Sequence, residues 1–415
     1  MKFDAALANR LGRRRLLKAG GGFALGGIAS GLIAEGRDEV RLPLNGGPLS
    51  RPLSSAFPGK GGMIVQRTRP PLLETPLSAF REAFTPNDQF FVRWHWADFP
   101  TAIDADRFRL RVGGHVRRPL TLSLSDLLAL PGIEYAAVNQ CSGNSRGFFD
   151  PRVPGAQWGH GAMGNALWRG VPLKSVLDRA GVRGWAVSVR FSALDEPGME
   201  GAPKFLKSLA IDHARDGEVM VAFAMNGEQL PLLNGFPLRL IVPGWYSTYW
   251  VKALSGIEVL NMPDDNYWMA KAYRIPVTPH ASVIPGSKDY PTEPISRMVP
   301  RSWITSLPEN QVVAYEPAIL LGGIAMGGDC GVARVQLSAD EGRTWHDARL
   351  LEDHGPFSFR VFEGRVPISR PGRVALLSRC TNNRGETQPL AANWNPGGFM
   401  RGCVETTHIE LRHGL

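Results

Sequence analysis

The chain has 415 residues, of which 43% are hydrophobic and 20% are charged, so it has enough apolar side chains for two packed domains. Its formal net charge is +9, but residues 1–34 hold six basic residues and one acidic residue, which leaves 41 basic and 37 acidic residues in the rest of the chain. This near balance, without a dense Lys/Arg run after residue 34, argues against nucleic-acid binding. A modest positive balance instead favours an anionic substrate or an acidic partner.

The N-terminal segment has the pattern of a signal peptide. Residues 12–18 read Gly-Arg-Arg-Arg-Leu-Leu-Lys, and an uncharged run rich in Gly, Ala, Leu and Ile extends from Ala19 to Ala34. Paired arginines before a weakly apolar run resemble a twin-arginine signal, which exports folded proteins, whereas the alternative is a plain basic N-terminus. We therefore expect residues 1–34 to be a leader and the mature chain to be periplasmic. No later segment approaches the ~18 apolar residues of a membrane span.

The next part of the chain mixes predicted strands and helices. A stretch rich in Pro and Gly runs from Leu42 to Pro71, and short β-branched or aromatic runs with turn residues between them follow it. Two segments have helical spacing, with Ser125 and Pro172 near their starts. The prediction is an α+β domain over residues 35–285, with strands at 90–92, 108–112 and 186–191 and helices at 123–130 and 173–180.

After residue 276 the composition changes. Residues 276–302 are rich in Pro and polar residues, which is typical of a linker or crossover. Short strand candidates then recur with Gly and Asp turns, such as Asp340-Glu341-Gly342, and this pattern favours a β-sandwich of immunoglobulin type over residues 286–415. The predicted strands lie at 312–321, 332–338, 345–351, 357–366, 374–380 and 404–411.

Cysteine and histidine spacing excludes several kinds of site. The four cysteines, Cys141, Cys330, Cys380 and Cys403, are too few and too scattered for a disulfide scaffold, although a Cys330–Cys380 pair stays open. A Cys-x-x-Cys-His motif does not occur, so we expect no covalent haem in this chain. The nine histidines form no His-Glu-x-x-His motif and no close pair, so a zinc site is not expected.

Residues 139–146 read Asn-Gln-Cys-Ser-Gly-Asn-Ser-Arg and are the most informative stretch. A thiolate is a soft, strongly donating metal ligand, and a cysteine in a polar, Gly-containing loop can approach a metal closely. In isolation, such a cysteine is more often an incidental buried thiol. The surrounding motifs decide between these two interpretations of Cys141.

The loop resembles the Cys-x-Gly-Asn-x-Arg loop of the sulfite oxidase family of molybdopterin enzymes, within which the chain is most similar to bacterial, cytochrome-linked sulfite dehydrogenases. The resemblance implies that Cys141 binds molybdenum, whose other ligands would be the dithiolene sulfurs of molybdopterin and oxo or hydroxo groups. It also implies a molybdopterin-binding domain followed by a β-sandwich. In this interpretation Cys141 tunes the metal and does not act as a nucleophile.

Two further segments carry the resemblance. The sequence Phe-Phe-Val-Arg-Trp-His from residue 90 resembles a family motif in which Arg93 would face the substrate and Phe91 and His95 would contact the cofactor. The segment that starts at Trp158 resembles another motif, in which Trp158 would form an apolar wall of the pocket. His160 is a further candidate for the pterin nitrogens. The alternative for each of them is an ordinary core or surface position.

The cofactor phosphate has its own candidates. The sequence Asn-Gly-Phe-Pro-Leu-Arg from residue 234 resembles the family's phosphate-binding strand and turn, which implies roles for Asn234, Arg239, Ser247 and Lys252. Asp195 precedes it at the spacing of another cofactor contact. Asn234 stands where vertebrate members have His, and this departure puts that one contact in doubt.

The substrate site is implied by the last two segments. Tyr273 resembles the active-site tyrosine of the family, and residues 394–401 resemble a Trp-Asn-…-Arg-Gly segment whose arginine, Arg401, completes an anion pocket. Guanidinium groups suit oxyanions because they stay charged and give paired hydrogen bonds. Arg93, Arg146 and Arg401 are therefore the expected cage around sulfite, with Tyr273 as a hydrogen-bond donor.

The implied function is oxidation of sulfite to sulfate. No haem-binding domain is recognised in the chain, so the electrons would pass to a separate partner, for which a small c-type cytochrome is the natural candidate. The C-terminal domain would support a homodimer, or the chain would pair with a cytochrome subunit, and the sequence leaves both open. Three alternatives remain: a periplasmic sulfoxide reductase, a nitrate reductase, and an exported β-rich binding protein without catalysis.

Overall fold

The computed structural model describes residues 39–42, 44–45, 50–54 and 57–414. The predicted leader, residues 1–34, lies outside these residues. Within the described part, no helix is long and apolar enough to cross a membrane.

The first domain contains short strands, most of them in antiparallel pairs, and few helices. Its strands are β1 (Glu39–Arg41), β2 (Ser50–Ser54), β3 (Met63–Arg67), β4 (Leu72–Glu74), β5 (Val92–Arg93), β6 (Leu110–Gly114), β7 (Leu120–Leu122), β8 (Ile133–Gln140), β9 (Met163–Pro172), β10 (Ser188–Ala193), β11 (Leu206–Ala210), β12 (Met220–Met225), β13 (Glu228–Gln229), β14 (Arg239–Ile241), β15 (Leu254–Leu260), β16 (Arg274–Pro276) and β17 (Thr292–Pro294). Its helices are α1 (Leu124–Leu128), α2 (Leu173–Ala180), α3 (Ile211–Ala214) and α4 (Tyr267–Ala270), with 3₁₀ turns at Leu77–Ala79, Arg146–Phe148, Leu232–Asn234, Ser247–Tyr249 and Pro279–Ala281.

Three sheets and a two-stranded ribbon form this domain. Their strand orders are β1-β2-β3-β4-β5, β11-β10-β15-β6-β7 and β13-β12-β9-β8 with β14 on β12, and β16 pairs with β17. All six residues of β12, Met-Val-Ala-Phe-Ala-Met, are buried because neighbouring elements cover both faces of the strand. Burial increases along β8: its first three residues are partly or fully exposed, and its last five residues are all buried. The strand thus carries the chain from the surface into the core just before Cys141.

The second domain is a two-sheet sandwich, as the sequence predicts. Its strands are β18 (Arg301–Ile304), β19 (Gln311–Ala314), β20 (Ala318–Met326), β21 (Val332–Ser338), β22 (His346–Asp347), β23 (Arg349–Leu350), β24 (Arg360–Pro367), β25 (Gly372–Asn382) and β26 (Glu405–Arg412). One sheet has the order β18-β20-β24-β23 and the other β19-β26-β25-β21-β22. Buried side chains from both sheets, among them Leu321, Phe362, Leu337 and Leu376, share one core between them.

Several element bounds differ from the sequence expectation, and the differences have local causes. α2 matches its prediction and ends at Gly181, whose φ is +69°. α1 starts one residue after Ser123, whose side chain forms a capping box with Asp126, so Ser123 and not Ser125 is the N-cap. The candidate strand at 312–321 is two strands, because Pro317 interrupts it between β19 and β20.

The cysteines of the described chain are all free thiols. Cys380 is fully buried in β25, with its Sγ 3.5 Å from the carbonyl oxygen of Met326. Cys330 lies in the turn between β20 and β21, with its Sγ 3.9 Å from the carbonyl oxygen of Gly327. The structure therefore contains no Cys330–Cys380 disulfide among its described residues.

Candidate active site

Cys141 follows the last residue of β8 and begins a tight loop. It is 7% exposed, and its backbone N–H donates to the carbonyl oxygen of Ala162 at 2.9 Å. Asn144 closes the turn: its N–H donates to the Cys141 carbonyl, and its Oδ1 accepts from the N–H of Ala162 at 3.0 Å. Gly143 leaves room for the loop, since a Cβ there would lie 2.4 Å from the Arg146 guanidinium. The loop is fixed by backbone contacts on the side facing β9.

Cys141 lines a narrow cavity in the first domain. Most of the residues that the sequence analysis assigns to the site line this cavity: Phe91, Arg93, His95, Cys141, Arg239, Ser247, Lys252 and Tyr273. Thr248, which follows Ser247 in the segment expected at the cofactor phosphate, also lines the cavity, and the remaining lining residues, Asn139, Ser142, Phe205 and Trp250, were not assigned from the sequence. Segments far apart in the sequence thus converge on one cavity.

The cavity wall is cationic, and none of the described residues that line it is acidic. Arg239 is 3% exposed and lies between two indole rings, with its Cζ 5.3 Å from the centroid of Trp168 and 5.9 Å from that of Trp250. Desolvation lowers the pKa of Arg239 to about 9. Desolvation, and then the charge of Arg239, lower the pKa of Lys252 to about 7. Each shift means that the protein leaves a buried positive charge undercompensated.

Several polar atoms in this wall are buried and have no hydrogen-bond partner within the described residues. They are Arg93 Nη1, Arg239 Nε, Asn139 Nδ2, Ser142 Oγ and Thr248 Oγ1. An unpaired buried polar group costs roughly 1–3 kcal/mol, so five of them in one cavity are unfavourable unless a ligand pairs with them. Three of the five are N–H groups and two are hydroxyls, so all five can donate, and such a set fits an anion with many acceptor atoms.

His95 and Tyr273 form a hydrogen-bonded pair at the cavity. His95 Nε2 lies 2.7 Å from the Tyr273 hydroxyl, and the imidazole stacks on Phe205 with 3.5 Å between ring centroids. Burial, followed by the charges of Arg93 and neighbouring lysines, lowers the pKa of His95 well below its usual value, so the ring is neutral at neutral pH. Burial also raises the pKa of Tyr273, so its phenol keeps the proton. Tyr273 can therefore donate a hydrogen bond.

Two residues of this region carry no signal that the sequence analysis used. Lys207 is fully buried, with its Nζ 4.3 Å from the ring centroid of Tyr249 and 5.4 Å from that of Tyr273. Its ammonium group therefore lies over the rings of both tyrosines. Lys60 donates to the carbonyl of Phe90 at 2.9 Å and to Asn234 Oδ1 at 2.5 Å. An isolated lysine in a sequence looks like a surface residue, and only the fold reveals that these two are buried.

Asp195 and Asn234 lie behind the wall instead of lining it. Asn234 is fully buried; it donates to the Phe91 carbonyl at 3.1 Å, and its own carbonyl accepts from Arg239 at 3.0 Å. It therefore orients Arg239. Burial raises the pKa of Asp195, while the charge of Lys252 opposes that shift. Asp195 is the nearby acid that partly balances the lysine.

Arg146 is the last residue of the Cys141 loop, and its side chain contacts the second domain. It is 9% exposed, its Nη2 donates to the carbonyl of Gly397 at 3.0 Å, and its Cζ lies 5.2 Å from the ring centroid of Phe399. Phe399 in turn stacks on Tyr273 with centroids 5.6 Å apart. Burial lowers the pKa of Arg146. Its Nε has no partner within the described residues, so Arg146 retains a donor near the thiol.

The structure does not bring Arg401, Trp158 or His160 to the cavity. All three nitrogens of the Arg401 guanidinium are engaged: Nε and Nη2 by Glu405 at 3.0 and 3.2 Å, and Nη1 by the Phe148 carbonyl at 3.1 Å. Trp158 is 1% exposed within the core, and His160 binds Ser145 and stacks on Phe148. Because the Glu405 carboxylate pairs with Arg401 here, the anion cage expected around Arg401 stays a prediction.

Comparisons with known proteins agree with this geometry. A family model described as an oxidoreductase molybdopterin binding domain matches residues 96–268, and one described as a Mo-co oxidoreductase dimerisation domain matches residues 292–411. The chain is 31% identical to a sulfite oxidase of Gallus gallus over 376 residues, which cover 86% of this chain and 78% of that protein. The chain belongs to the sulfite oxidase family.

One further relative and one solved structure are also similar to the chain. The chain is 32% identical to an NADH nitrate reductase of Brassica napus, over 77% of this chain and 37% of that protein. The crystal structure of the sulfane dehydrogenase SoxCD from Paracoccus pantotrophus has a TM-score of 0.70 and 23% identity, and the match covers 87% of this chain and 88% of that one. The latter similarity shows that the fold is shared. As a member of the sulfite oxidase family, the chain is a molybdopterin-dependent oxidoreductase that acts on a sulfur group.

The residues present fit the cofactor of the sulfite oxidase family. Molybdopterin carries an anionic phosphate and a dithiolene, and the unpaired donors of Arg93 and Arg239 supply the complement that such a ligand needs. No cluster of three or more His, Cys, Asp and Glu side chains that could hold a metal occurs in the described chain. Cys141 would thus be the protein's own ligand to a metal that the cofactor brings with it.

The placement of Arg401 makes a prediction that separates the two interpretations of this residue. If Arg401 completed the anion pocket, Arg401→Ala would raise the sulfite KM. The salt bridge to Glu405 instead predicts a loss of about 3 kcal/mol of unfolding free energy, because a buried pair is broken, and a KM within about twofold of the wild type. Denaturant titration and steady-state kinetics measure both quantities. A tenfold rise in KM at unchanged stability would restore the anion-pocket role.

Proposed function

We propose that this protein oxidises sulfite to sulfate, with water as the source of the added oxygen. One turnover converts sulfite and water into sulfate, two protons and two electrons. The observation that carries the proposal is the cationic cavity at Cys141, with buried donors that lack partners and no acidic side chain in its wall. Sulfite and sulfate are small oxyanions, which such a wall attracts.

The bound cofactor would supply oxygen-atom transfer and the storage of two electrons. Arg239, Lys252 and Ser247 would hold its phosphate, since they line one side of the cavity and two of them are cations. Cys141 would fix the metal at the mouth of the loop. Trp168 and Trp250 hold the Arg239 guanidinium in place from two sides, which keeps water from the phosphate site.

Arg93 and Tyr273 would orient sulfite. Arg93 has an unpaired Nη1 in the cavity, which can donate to an anionic oxygen. A neutral His95 with its proton on Nε2 donates to the Tyr273 oxygen, so the phenol proton is free to reach a substrate oxygen. Arg146, with its unpaired Nε near the thiol, adds a second positive charge. Both guanidiniums favour an anionic substrate such as sulfite over neutral competitors.

The electrons are proposed to leave one at a time to a separate c-type cytochrome, and the enzyme to work in the periplasm after twin-arginine export. The support is the leader-like sequence at residues 12–34 and the lack of a Cys-x-x-Cys-His motif in the chain. A homodimer through the second domain is proposed from the dimerisation model that matches residues 292–411.

The test combines metal analysis with three substrates. Purified protein should contain close to one molybdenum per chain and should reduce ferricyanide and cytochrome c when sulfite is added. The same preparation, reduced with an artificial donor, is offered methionine sulfoxide and nitrate. Activity with sulfite alone supports the proposal, whereas reduction of the sulfoxide or of nitrate without sulfite oxidation would assign the enzyme to one of those reactions. A correctly folded, metal-free native protein would favour a binding role.

The buried cations also predict how anion binding to the cofactor-free protein depends on pH. Because the pKa of Lys252 is lowered to about 7, its side chain is charged below pH 7 and neutral above it. Affinity for sulfate, whose own charge is the same at pH 6 and pH 8, is therefore expected to fall roughly tenfold between these pH values, as one charge contact is lost. Titration calorimetry at several pH values measures the change. In Lys252→Met the dependence should weaken, and an undiminished dependence would assign it to another buried lysine such as Lys207, whose pKa is also lowered to about 7.

A further inference from the structure

Ser145 lies in the same loop as Cys141 and has an unusual backbone conformation. Its φ is +67° in the left-handed region, and it is fully buried. A residue with a Cβ adopts this conformation at a cost, so surrounding contacts must hold it there. Its N–H donates to the Gly159 carbonyl at 2.7 Å and its carbonyl accepts from the Phe148 N–H at 3.1 Å, while its side chain has partners of its own.

Arg301 from the second domain binds the Ser145 hydroxyl. Nη1 and Nη2 of Arg301 each donate to Ser145 Oγ at 3.2 Å, and His160 Nδ1 lies 2.8 Å from the same oxygen. Burial, and then neighbouring charges, bring the pKa of His160 to about 4, so its neutral ring can accept the serine proton. One hydroxyl thus accepts two bonds and donates one, which satisfies its whole capacity. The arginine is 1% exposed, at the first position of β18.

Glu405 holds the Arg301 guanidinium in this orientation. Its Oε1 accepts from Arg301 Nη2 at 2.5 Å and from Arg401 Nε at 3.0 Å. Burial alone would raise the pKa of Glu405, but Arg401, His160 and Arg301 bring it to about 2, so the carboxylate is charged at any physiological pH. Arg301, Arg401 and Glu405 together therefore keep a net positive charge inside the protein. Burying that charge is unfavourable if these residues do no more than join the two domains.

We infer that Arg301 is a positioning residue: from the second domain, through Ser145, it holds the loop that presents the Cys141 thiol to the cavity. Two more contacts from that domain act on the same loop, since Met400 N–H donates to the Ser142 carbonyl at 3.0 Å and Gly397 accepts from Arg146. Without the paired donors of Arg301, the Ser145 side chain loses two of its three hydrogen bonds, and only backbone bonds and His160 still hold the left-handed residue. The loop then relaxes, and the sulfur moves relative to the cavity.

The first experiment measures the loop directly in cofactor-free protein, so it does not depend on the proposed function. In a Cys330→Ser background, which removes the half-exposed thiol, Cys141 is labelled with a thiol reagent and identified by peptide mass. Arg301→Met should raise its labelling rate about tenfold through local opening. Arg190→Met is the matched control, because it removes a two-point pair with Asp264 in the first domain, far from Ser145 in the fold. Equal labelling in both variants would overturn the inference.

The second experiment separates positioning from general stabilisation. Ser145→Gly tolerates the left-handed conformation without support, so Arg301→Met should change labelling less than about twofold in that background. Arg301→Lys keeps a charge beside Glu405 but lacks the planar fork, and it should resemble Arg301→Met. If the effects of Arg301→Met and Ser145→Gly on the labelling rate of Cys141 were additive, Arg301 would only stabilise the domain interface. A wild-type labelling rate in Arg301→Lys would lead to the same conclusion.

The third experiment uses the loaded enzyme and rests on the proposed sulfite oxidation. Arg301→Met should lower kcat by roughly 10- to 100-fold, as loss of a supporting contact around a metal ligand does, while the sulfite KM stays within about twofold. If the wild type does not oxidise sulfite, the proposed function fails, and the labelling results still decide the role of Arg301. If the wild type is active and Arg301→Met has the kcat of Arg190→Met, the inference fails alone.

Discussion

Cys141→Ser is expected to abolish sulfite turnover while leaving the fold intact. A hydroxyl is a hard, weakly acidic ligand, and it cannot replace a thiolate at a soft metal site. Loss of contacts that only support a ligand costs 10- to 100-fold, so loss of the ligand itself should cost more than about 1,000-fold in kcat. The thiol is buried in a loop fixed by backbone bonds, so the smaller side chain should change the melting temperature little.

The matched control for this variant is Cys330→Ser. Cys330 is a free thiol in a turn of the second domain, away from the cavity, and its replacement should leave both turnover and molybdenum content unchanged. Turnover is measured by ferricyanide reduction, and the metal by mass spectrometry of the purified protein. Comparable activity in Cys141→Ser and the wild type would refute the assignment of Cys141, whatever the metal content.

How much of the site could be predicted depended on the kind of contact. Residues that meet the cofactor cavity directly, such as Cys141, Arg239 and Tyr273, belong to recognisable motifs, and the structure places them in one wall. The long predicted elements also recur, since α2 and β21 have the predicted bounds. Short strands such as β14 were missed, because three residues carry too little periodicity to be distinguished from a loop.

Contacts between the two domains could not be predicted in the same way. Arg401 was assigned to the anion pocket from its motif, and only the fold shows that it pairs with Glu405, four residues further along the chain. Arg301 follows a proline-rich stretch and looks like a surface residue, although it is 1% exposed. A sequence shows the type of a charged residue but not its partner, and the partner decides whether the charge is available to a ligand.

The second large effect is expected for Arg239→Met, which should separate cofactor retention from protein stability. Arg239 is buried, its pKa is lowered to about 9 by desolvation, and no acidic side chain lines the cavity around it. Its charge is therefore a cost to the cofactor-free fold and a gain only when an anion is bound. Methionine has a similar length and is apolar. The free energy of unfolding of the cofactor-free variant should therefore lie within about 1 kcal/mol of the wild-type value, or above it.

Cofactor content, unlike stability, should fall in Arg239→Met. Without the guanidinium, the phosphate would lose a charge-assisted pair worth roughly 1.5–3 kcal/mol, so retention of molybdenum and pterin after dialysis should fall about tenfold or more. Arg239→Lys keeps the charge but not the fork that reaches Asn139 Oδ1 at 2.8 Å, and it should retain an intermediate amount. Unfolding curves of the cofactor-free proteins and pterin fluorescence measure the two effects. If stability and cofactor content fell together in Arg239→Met, the arginine would be a structural residue of the Trp168–Trp250 layer, and the phosphate site would have to lie elsewhere in the cavity.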